Sequence, residues 1–190
     1  MGFYAKSLGP ESQKIVTQLS PKILDACSKA QDELAAGRGL TEAARWFGTT
    51  PAATVKTKVG KLRSFFNLNA ITLRFAGGPA ERGQNTAAAL RPSQGWSDYT
   101  NVTKANNTSF EMYLNSDWEQ MPLWSTQPLQ TAGDGGKFAT LVHELSHLCL
   151  NTEDHKYTAQ KAVLLATNSP NMAIENADNW GFFVEEFVKR

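Results

Sequence analysis

The segment from residue 141 to 158, LVHELSHLCLNTEDHKYT, contains all three histidines of the chain together with acidic residues and a tyrosine. If residues 137–150 form a helix, His143 and His147 lie one turn apart on one face, and both imidazoles can reach one ion. Glu144 is the next residue round, where it can reach a water on that ion without being a ligand. This is the His-Glu-x-x-His arrangement that zinc peptidases use, so the spacing predicts a hydrolytic zinc site with Glu144 as general base.

The flanks of this motif are apolar and favour a buried helix, with Leu141, Val142, Leu145 and Leu148 around the two histidines. Burying two imidazoles and a carboxylate is costly unless they are paired or bound to a metal. The alternative is a helix whose histidines only pack or face solvent, and the cost of burial argues against it.

A catalytic zinc site needs a third protein ligand. The metzincin pattern requires glycine at 150 and histidine at 153, but Leu150 and Glu153 stand there, so that class is excluded. A glutamate from a later helix is one option, and the segment 151–158 offers another. The later candidates are Glu175, Glu185 and Glu186, and the local competitors are Glu153 and His155, of which His155 is expected at the surface or beside a ligand.

The composition is that of an ordinary globular protein, with 190 residues, 41% hydrophobic and 19% charged residues and a net charge of +1. Such a balance does not favour binding to nucleic acid or to an anionic membrane, and no apolar run of 18 residues predicts a membrane span. Two cysteines, Cys27 and Cys149, do not make a disulfide framework, and Cys149 is expected as a buried free thiol.

The elements that must position the motif fall into three blocks. Helices are predicted at about 20–37, 41–48 and 51–68, the first starting at Ser20 and Pro21. Residues 71–75 and 110–114 alternate as strands, with a further short strand near Tyr99. Helices are predicted again at about 137–150, 155–167 and 178–188. Because helices and strands do not alternate, we expect an α+β fold with a small, mostly antiparallel sheet.

We expect residues 1–190 to form a single domain, helical over 12–68, rich in β-structure and loops over 69–136, and catalytic and helical over 137–190. The strand from Ser109 to Asn115 is expected at a sheet edge near the motif helix, where it would bind an extended peptide.

Four segments give a resemblance to the aspzincins, the deuterolysin and lysine-specific metallo-endopeptidase family. That family follows HExxH with G-T-x-D-x-x-Y-G, and residues 151–158, NTEDHKYT, match at Thr152, Asp154 and Tyr157 but replace both glycines. The segments RWFGTTPAATVKTKVGKL, MYLNSDWEQMPL and ENADNWGFFVEEF are also similar to family segments, in the same order.

The resemblance implies a zincin-like fold and one catalytic zinc ion, with Asp154 as third ligand beside His143 and His147. It also implies that Tyr157 hydrogen-bonds the developing oxyanion. In lysine-specific relatives two acids meet the lysine after the scissile bond. Here Asp178 stands at the first and Gly181 replaces the second, which is expected to free space, so we expect a relaxed preference, at best weakly basic. Asp178 as a helix N-cap is the plainer interpretation.

We therefore expect a zinc endopeptidase that acts on protein or peptide substrates as a monomer. The alternatives are a zincin-like binding module that has lost catalysis and an interaction protein without metal. The N-terminus has no apolar segment typical of a signal peptide. We expect either export by another route, as a toxin-like effector, or a cytoplasmic location.

Overall fold

The computed structural model describes residues 2–6, 8–75, 87–90, 110–126 and 135–188. Within these ranges the chain forms strands and helices in the following order: β1 Gly2–Ala5, α1 Pro10–Ala35, α2 Leu40–Phe47, α3 Ala52–Leu68, β2 Ala70–Phe75, β3 Ala87–Leu90, β4 Phe110–Leu114, α4 Ser116–Gln120, α5 Lys137–Leu150, α6 Ala159–Asn168, α7 Pro170–Ala173 and α8 Ala177–Glu185. The predicted strand near Tyr99 lies outside the described residues.

The first helix is longer than predicted. It begins at Pro10, with Glu11 in its first turn, and Pro21 lies inside it. A proline and an acid suit a helix N-terminus, so Pro10 provides the start that was assigned to Pro21. The buried stripe runs across Pro21 from Val16 to Ile23, and the burial of this stripe outweighs the hydrogen bond that the proline cannot donate.

The described strands form a four-stranded sheet with the order β1-β2-β4-β3. β1 pairs with β2 and β2 with β4 in parallel, and β3 with β4 antiparallel. The expectation of a mostly antiparallel sheet is therefore wrong. Three helices separate β1 from β2 along the chain, and a long helical connection of this kind allows parallel pairing.

The position of β4 also corrects the sequence analysis. The predicted edge strand at 109–115 forms β4, which has β2 on one side and β3 on the other. Among the described strands the edges are β1 and β3, and β3 lies against α5. The short segment Ala87–Leu90 has no alternation of apolar and polar residues, so no periodic signal marked it as a strand.

The core joins both helical blocks to one face of the sheet. Ile71, Leu73, Met112 and Leu114 on the sheet are fully buried, as is most of the apolar surface of α5. Phe47 of α2 contacts Trp180 of α8 at a ring-centroid distance of 4.5 Å. Helix α8 in turn packs along α5. The helix that carries the histidines is thus held between the sheet and the C-terminal helix.

Both cysteines are thiols. Cys27 is buried, and burial raises its pKa to about 12. Cys149 is half-buried, not buried as predicted. Among the described helices, none is both long and apolar enough to cross a membrane.

Candidate metal centre

Helix α5 presents His143, Glu144 and His147 on its inner side. Their residues are 8%, 4% and 4% exposed. The two imidazole rings meet edge to face with centroids 4.8 Å apart, and their Nε2 atoms are 3.1 Å apart. The spacing of four residues therefore brings two nitrogen atoms to one point, as the helix period requires.

Asp154 supplies a third atom at the same point. Its Oδ1 lies 3.1 Å from His143 Nε2 and 3.2 Å from His147 Nε2. Tetrahedral zinc with bonds of about 2.0–2.1 Å holds its ligand atoms about 3.3 Å from one another. The three atoms form a nearly equilateral triangle of almost that size, so the donor set fits a zinc ion.

The other acids that the sequence offered lie elsewhere. Glu185 accepts hydrogen bonds from the amide (2.8 Å) and hydroxyl (2.5 Å) of Ser125. Glu186 accepts from Arg45 and from the Trp46 indole (3.1 Å). Glu175 is exposed. His155 faces Glu153 at 3.7 Å. Of the acids that the sequence offered as a third ligand, Asp154 is therefore the one that contacts both histidines.

The Nδ1 atom of each imidazole also forms a hydrogen bond, which fixes the orientation of the ring. His143 Nδ1 donates to Asp178 Oδ1 (2.6 Å), and His147 Nδ1 donates to the Thr152 carbonyl (2.7 Å). Since a carboxylate and a carbonyl can only accept, each Nδ1 carries a proton, and both Nε2 atoms are directed at Asp154. Metal-binding histidines are oriented by such partners.

The electrostatics of the cluster favour a cation. Burial would lower the pKa of His143, but hydrogen bonds to Asp154 and Asp178 raise it well above its usual value. Burial would raise the pKa of Asp154, yet its bonds to the two histidines hold it well below the usual range. The carboxylates of Asp154 and Asp178 thus stabilise positive charge near the point where the two Nε2 atoms meet. A site that binds a metal cation needs such negative surroundings.

Glu144 has a buried carboxylate oxygen that forms no hydrogen bond. Its Oε2 is buried and has no hydrogen-bond partner, and its Oε1 is 3.8 Å from His143 Nε2. Burial raises the pKa of Glu144, while the neighbouring histidines pull it down. A buried carboxylate oxygen without a hydrogen-bond partner is energetically costly, and such groups mark functional sites.

Tyr157 stands at the opening of the cluster. Its residue is 50% exposed, and its ring lies parallel to that of His143 with centroids 6.4 Å apart. Partial burial, and then the nearby charge of Asp154, raise the pKa of the phenol. The phenol therefore keeps its proton at neutral pH and can donate a hydrogen bond to a bound group.

Two residues of the loop from α5 to α6, Asn151 and Thr158, have positive φ. Asn151 has φ 59° and ψ 41°, and Thr158 has φ 74° and ψ 146°. They stand at the two glycine positions of G-T-x-D-x-x-Y-G. Asparagine tolerates the left-handed region, whereas a β-branched threonine at positive φ is strained.

Asp178 has both carboxylate oxygens engaged. Oδ1 accepts from His143, and Oδ2 accepts from the Thr158 amide (2.8 Å). The N-cap of α8 is Asn176, so the interpretation of Asp178 as N-cap is wrong. Asp178 is the second residue of α8 and lies in its first turn, where an acid interacts favourably with the helix dipole.

Gly181 marks the close approach of α8 to α5. A Cβ added there would lie 2.6 Å from the Ala139 carbonyl oxygen. The expectation that Gly181 frees space beside Asp178 is therefore wrong, because the backbone of α5 fills that space. The sequence pattern does not predict this contact, because the two helices are far apart along the chain.

Two buried asparagines behind the loop were not predicted from the sequence. Asn176 and Asn179 are both 0% exposed. Asn179 Nδ2 donates to the carbonyls of Trp46 (2.5 Å) and Ala162 (3.0 Å). The sequence does contain a signal for them, since three polar residues of the segment NADN stand at the start of an otherwise apolar helix. Polar side chains next to a buried helix face indicate a hydrogen-bond network, because buried amides need several partners.

Comparison with known proteins gives three kinds of match. A family model described as lysine-specific metallo-endopeptidase matches residues 33–185. Peptidyl-Lys metalloendopeptidases are similar over short segments, at 41% identity over 64 residues in Armillaria mellea and 43% over 56 residues in Pleurotus ostreatus. These segments cover 33% and 28% of this chain but only 17% and 33% of the two relatives. A zinc peptidase from Grifola frondosa has a similar structure, with a TM-score of 0.57 over 94% of this chain and 97% of that one; at 22% identity this likeness shows the fold.

Proposed function

Since the chain belongs to the lysine-specific metallo-endopeptidase family, the aspzincins, we propose that it is a zinc-dependent endopeptidase with one zinc ion held by His143, His147 and Asp154. The observation that carries this proposal is the meeting of three ligand atoms within 3.1–3.2 Å of one another. The buried Glu144 carboxylate beside them supports it, because its Oε2 has no hydrogen-bond partner.

Zinc in such a site supplies Lewis-acid chemistry that activates water and polarises the scissile carbonyl. Glu144 accepts the proton of the attacking water and passes it to the leaving amine. Burial raises the pKa of Glu144, which strengthens it as a base toward the water and suits it to carry the proton. Tyr157 donates its phenol proton as a hydrogen bond to the oxyanion that forms on the carbonyl. Asp178 keeps the His143 ring in place during these steps.

The substrate is a protein or peptide that binds in extended form. β3 is the described sheet edge next to α5, and an exposed edge can add a peptide as a further strand. In this proposal the edge at Ala87–Leu90 takes the role that we had expected for 109–115.

The pocket for the substrate residue after the scissile bond carries little negative charge in this proposal. Asp178 is the acid expected to bind a lysine there, but His143 and Thr158 occupy one site on each of its oxygens. A carboxylate that already has two partners gains little from a further, partly exposed ammonium. We therefore propose a relaxed preference, at best weakly basic.

The rival is a binding module that keeps the zinc but has lost catalysis. A cleavage assay on a denatured protein mixture separates the two. We expect cleavage that a chelator abolishes and added zinc restores. A chain that binds zinc and cleaves nothing supports the rival.

The cleavage sites found by mass spectrometry in that assay test the specificity. We expect several residue types after the scissile bond, with any excess of lysine or arginine reduced at high salt. A strict lysine requirement would contradict the relaxed preference.

A further inference from the structure

The loop that bears Asp154 and Tyr157 is bonded to one short segment of the chain, Glu175–Asn179. The Glu153 amide donates to the Glu175 carbonyl (2.7 Å), and the Ala177 amide donates back to the Glu153 carbonyl (3.0 Å). These two bonds form an isolated parallel bridge between Glu153 and Asn176. They fix the residue directly before Asp154.

Asn176 holds the other side of the same loop. Its Oδ1 accepts from the Lys156 amide (2.9 Å), and its Nδ2 donates to the Lys156 carbonyl (3.0 Å). The side-chain amide therefore pairs with one backbone residue in both directions, as a neighbouring strand would. Its second Nδ2 proton goes to Asn179 Oδ1 (2.6 Å). With three bonds in a fully buried setting, this amide is fixed in orientation.

The third anchor is Asp178, which accepts from the Thr158 amide (2.8 Å) directly after Tyr157. The loop is thus held at 153, 156 and 158, and the two functional side chains lie between the anchors. Asn179 continues the network to the Trp46 and Ala162 carbonyls, so the segment itself is tied to α2 and α6.

We propose that Glu175–Asn179 is a cradle that sets the position of the metal loop before any ion binds, with Asn176 as its central positioning residue. This inference rests on the proposed zinc site. Metal sites depend on residues that orient the ligands, and loss of such a residue typically lowers metal affinity by about 10–100-fold. Asn176 acts on Asp154 and Tyr157 through the loop backbone and touches neither the ion nor the substrate.

The first test uses the metal-free wild-type protein. Amide hydrogen exchange in chelator should show the Glu153, Lys156 and Thr158 amides protected by at least about 10²-fold, together with the Ala177 amide that bonds to Glu153. If these amides exchange as fast as those of an open loop, the cradle does not exist before metal binding and the proposal is overturned. This result does not depend on whether the protein is a peptidase.

The second test measures zinc affinity in two variants. Asn176→Asp keeps the acceptor for the Lys156 amide but places an acceptor against the Lys156 carbonyl and Asn179 Oδ1. Asn176→Ala removes all three bonds. Both variants should bind zinc about 10–100-fold more weakly than wild type. Cobalt substitution should show an altered visible spectrum, since the spectrum reports ligand geometry.

Asn115→Ala is the matched control. Asn115 is also a buried asparagine, and its side chain accepts from the Asp117 and Trp118 amides at the start of α4. This variant should unfold at a lower denaturant concentration than wild type, because a helix cap is lost, and keep its zinc affinity. Asn176 variants that bind zinc within about twofold of wild type overturn the proposal. If neither Asn176 variant folds, the exchange measurement decides. A wild type that binds no zinc refutes the proposed function but leaves the exchange result standing.

Discussion

Replacing Thr158 by glycine should make this protein more stable. Thr158 is held at φ 74° and ψ 146°. Its backbone amide donates to Asp178, and glycine retains that amide. The substitution therefore removes the conformational strain without removing the bond that anchors the loop.

The size of the effect follows from two opposing contributions. A non-glycine residue in so sparsely populated a region costs about 1–3 kcal/mol. Glycine gives back about 0.5–1 kcal/mol through the greater entropy of the unfolded chain. The net gain is about 0–2.5 kcal/mol, which for a chain of this length raises the melting temperature by up to about 10 °C.

Asn151→Gly is the matched comparison in the same loop. Asn151 lies at φ 59°, where asparagine is tolerated, so glycine relieves little strain and its entropy cost remains. We expect no gain in stability, or a small loss. Urea and thermal denaturation of the metal-free proteins measure both variants. A Thr158→Gly protein that is less stable than wild type would refute the strain argument.

Three further substitutions probe the site and its support. Glu144→Gln should bind zinc normally and lose at least about 10²-fold in peptidase activity; full activity would end the general-base mechanism. Tyr157→Phe should lower kcat by about 10²-fold and leave KM nearly unchanged, and steady-state kinetics would contradict this if KM alone changed. Gly181→Ala should destabilise the protein by about 1–3 kcal/mol in denaturant, since its Cβ would meet the Ala139 carbonyl, and a neutral result would show that the two helices can separate there.

The sequence predicted most where the chemistry is local. His143, Glu144 and His147 lie within five residues of one helix, so the helix period alone sets their relative positions. Asp154 needed the family resemblance, because the residues left several acids open as the third ligand. The turn that brings it back depends on positive φ at Asn151, which residue type alone does not require.

The sequence predicted least where distant elements meet. The contact of Gly181 with α5 and the bond from His143 to Asp178 join residues 42 or 35 positions apart, and neither leaves a periodic pattern. The sheet edge was misassigned for a related reason. Strand order depends on long-range pairing, and β3 has too few residues and too little alternation to be recognised.

Metal analysis of ligand variants tests the central claim most directly. Zinc per chain should be measured in the wild type and in Asp154→Ala, Glu175→Ala and His155→Ala after dialysis against trace zinc. The account predicts about one zinc per chain in the wild type, in Glu175→Ala and in His155→Ala, and none in Asp154→Ala. Full zinc occupancy in Asp154→Ala, or an empty site in Glu175→Ala, would contradict it.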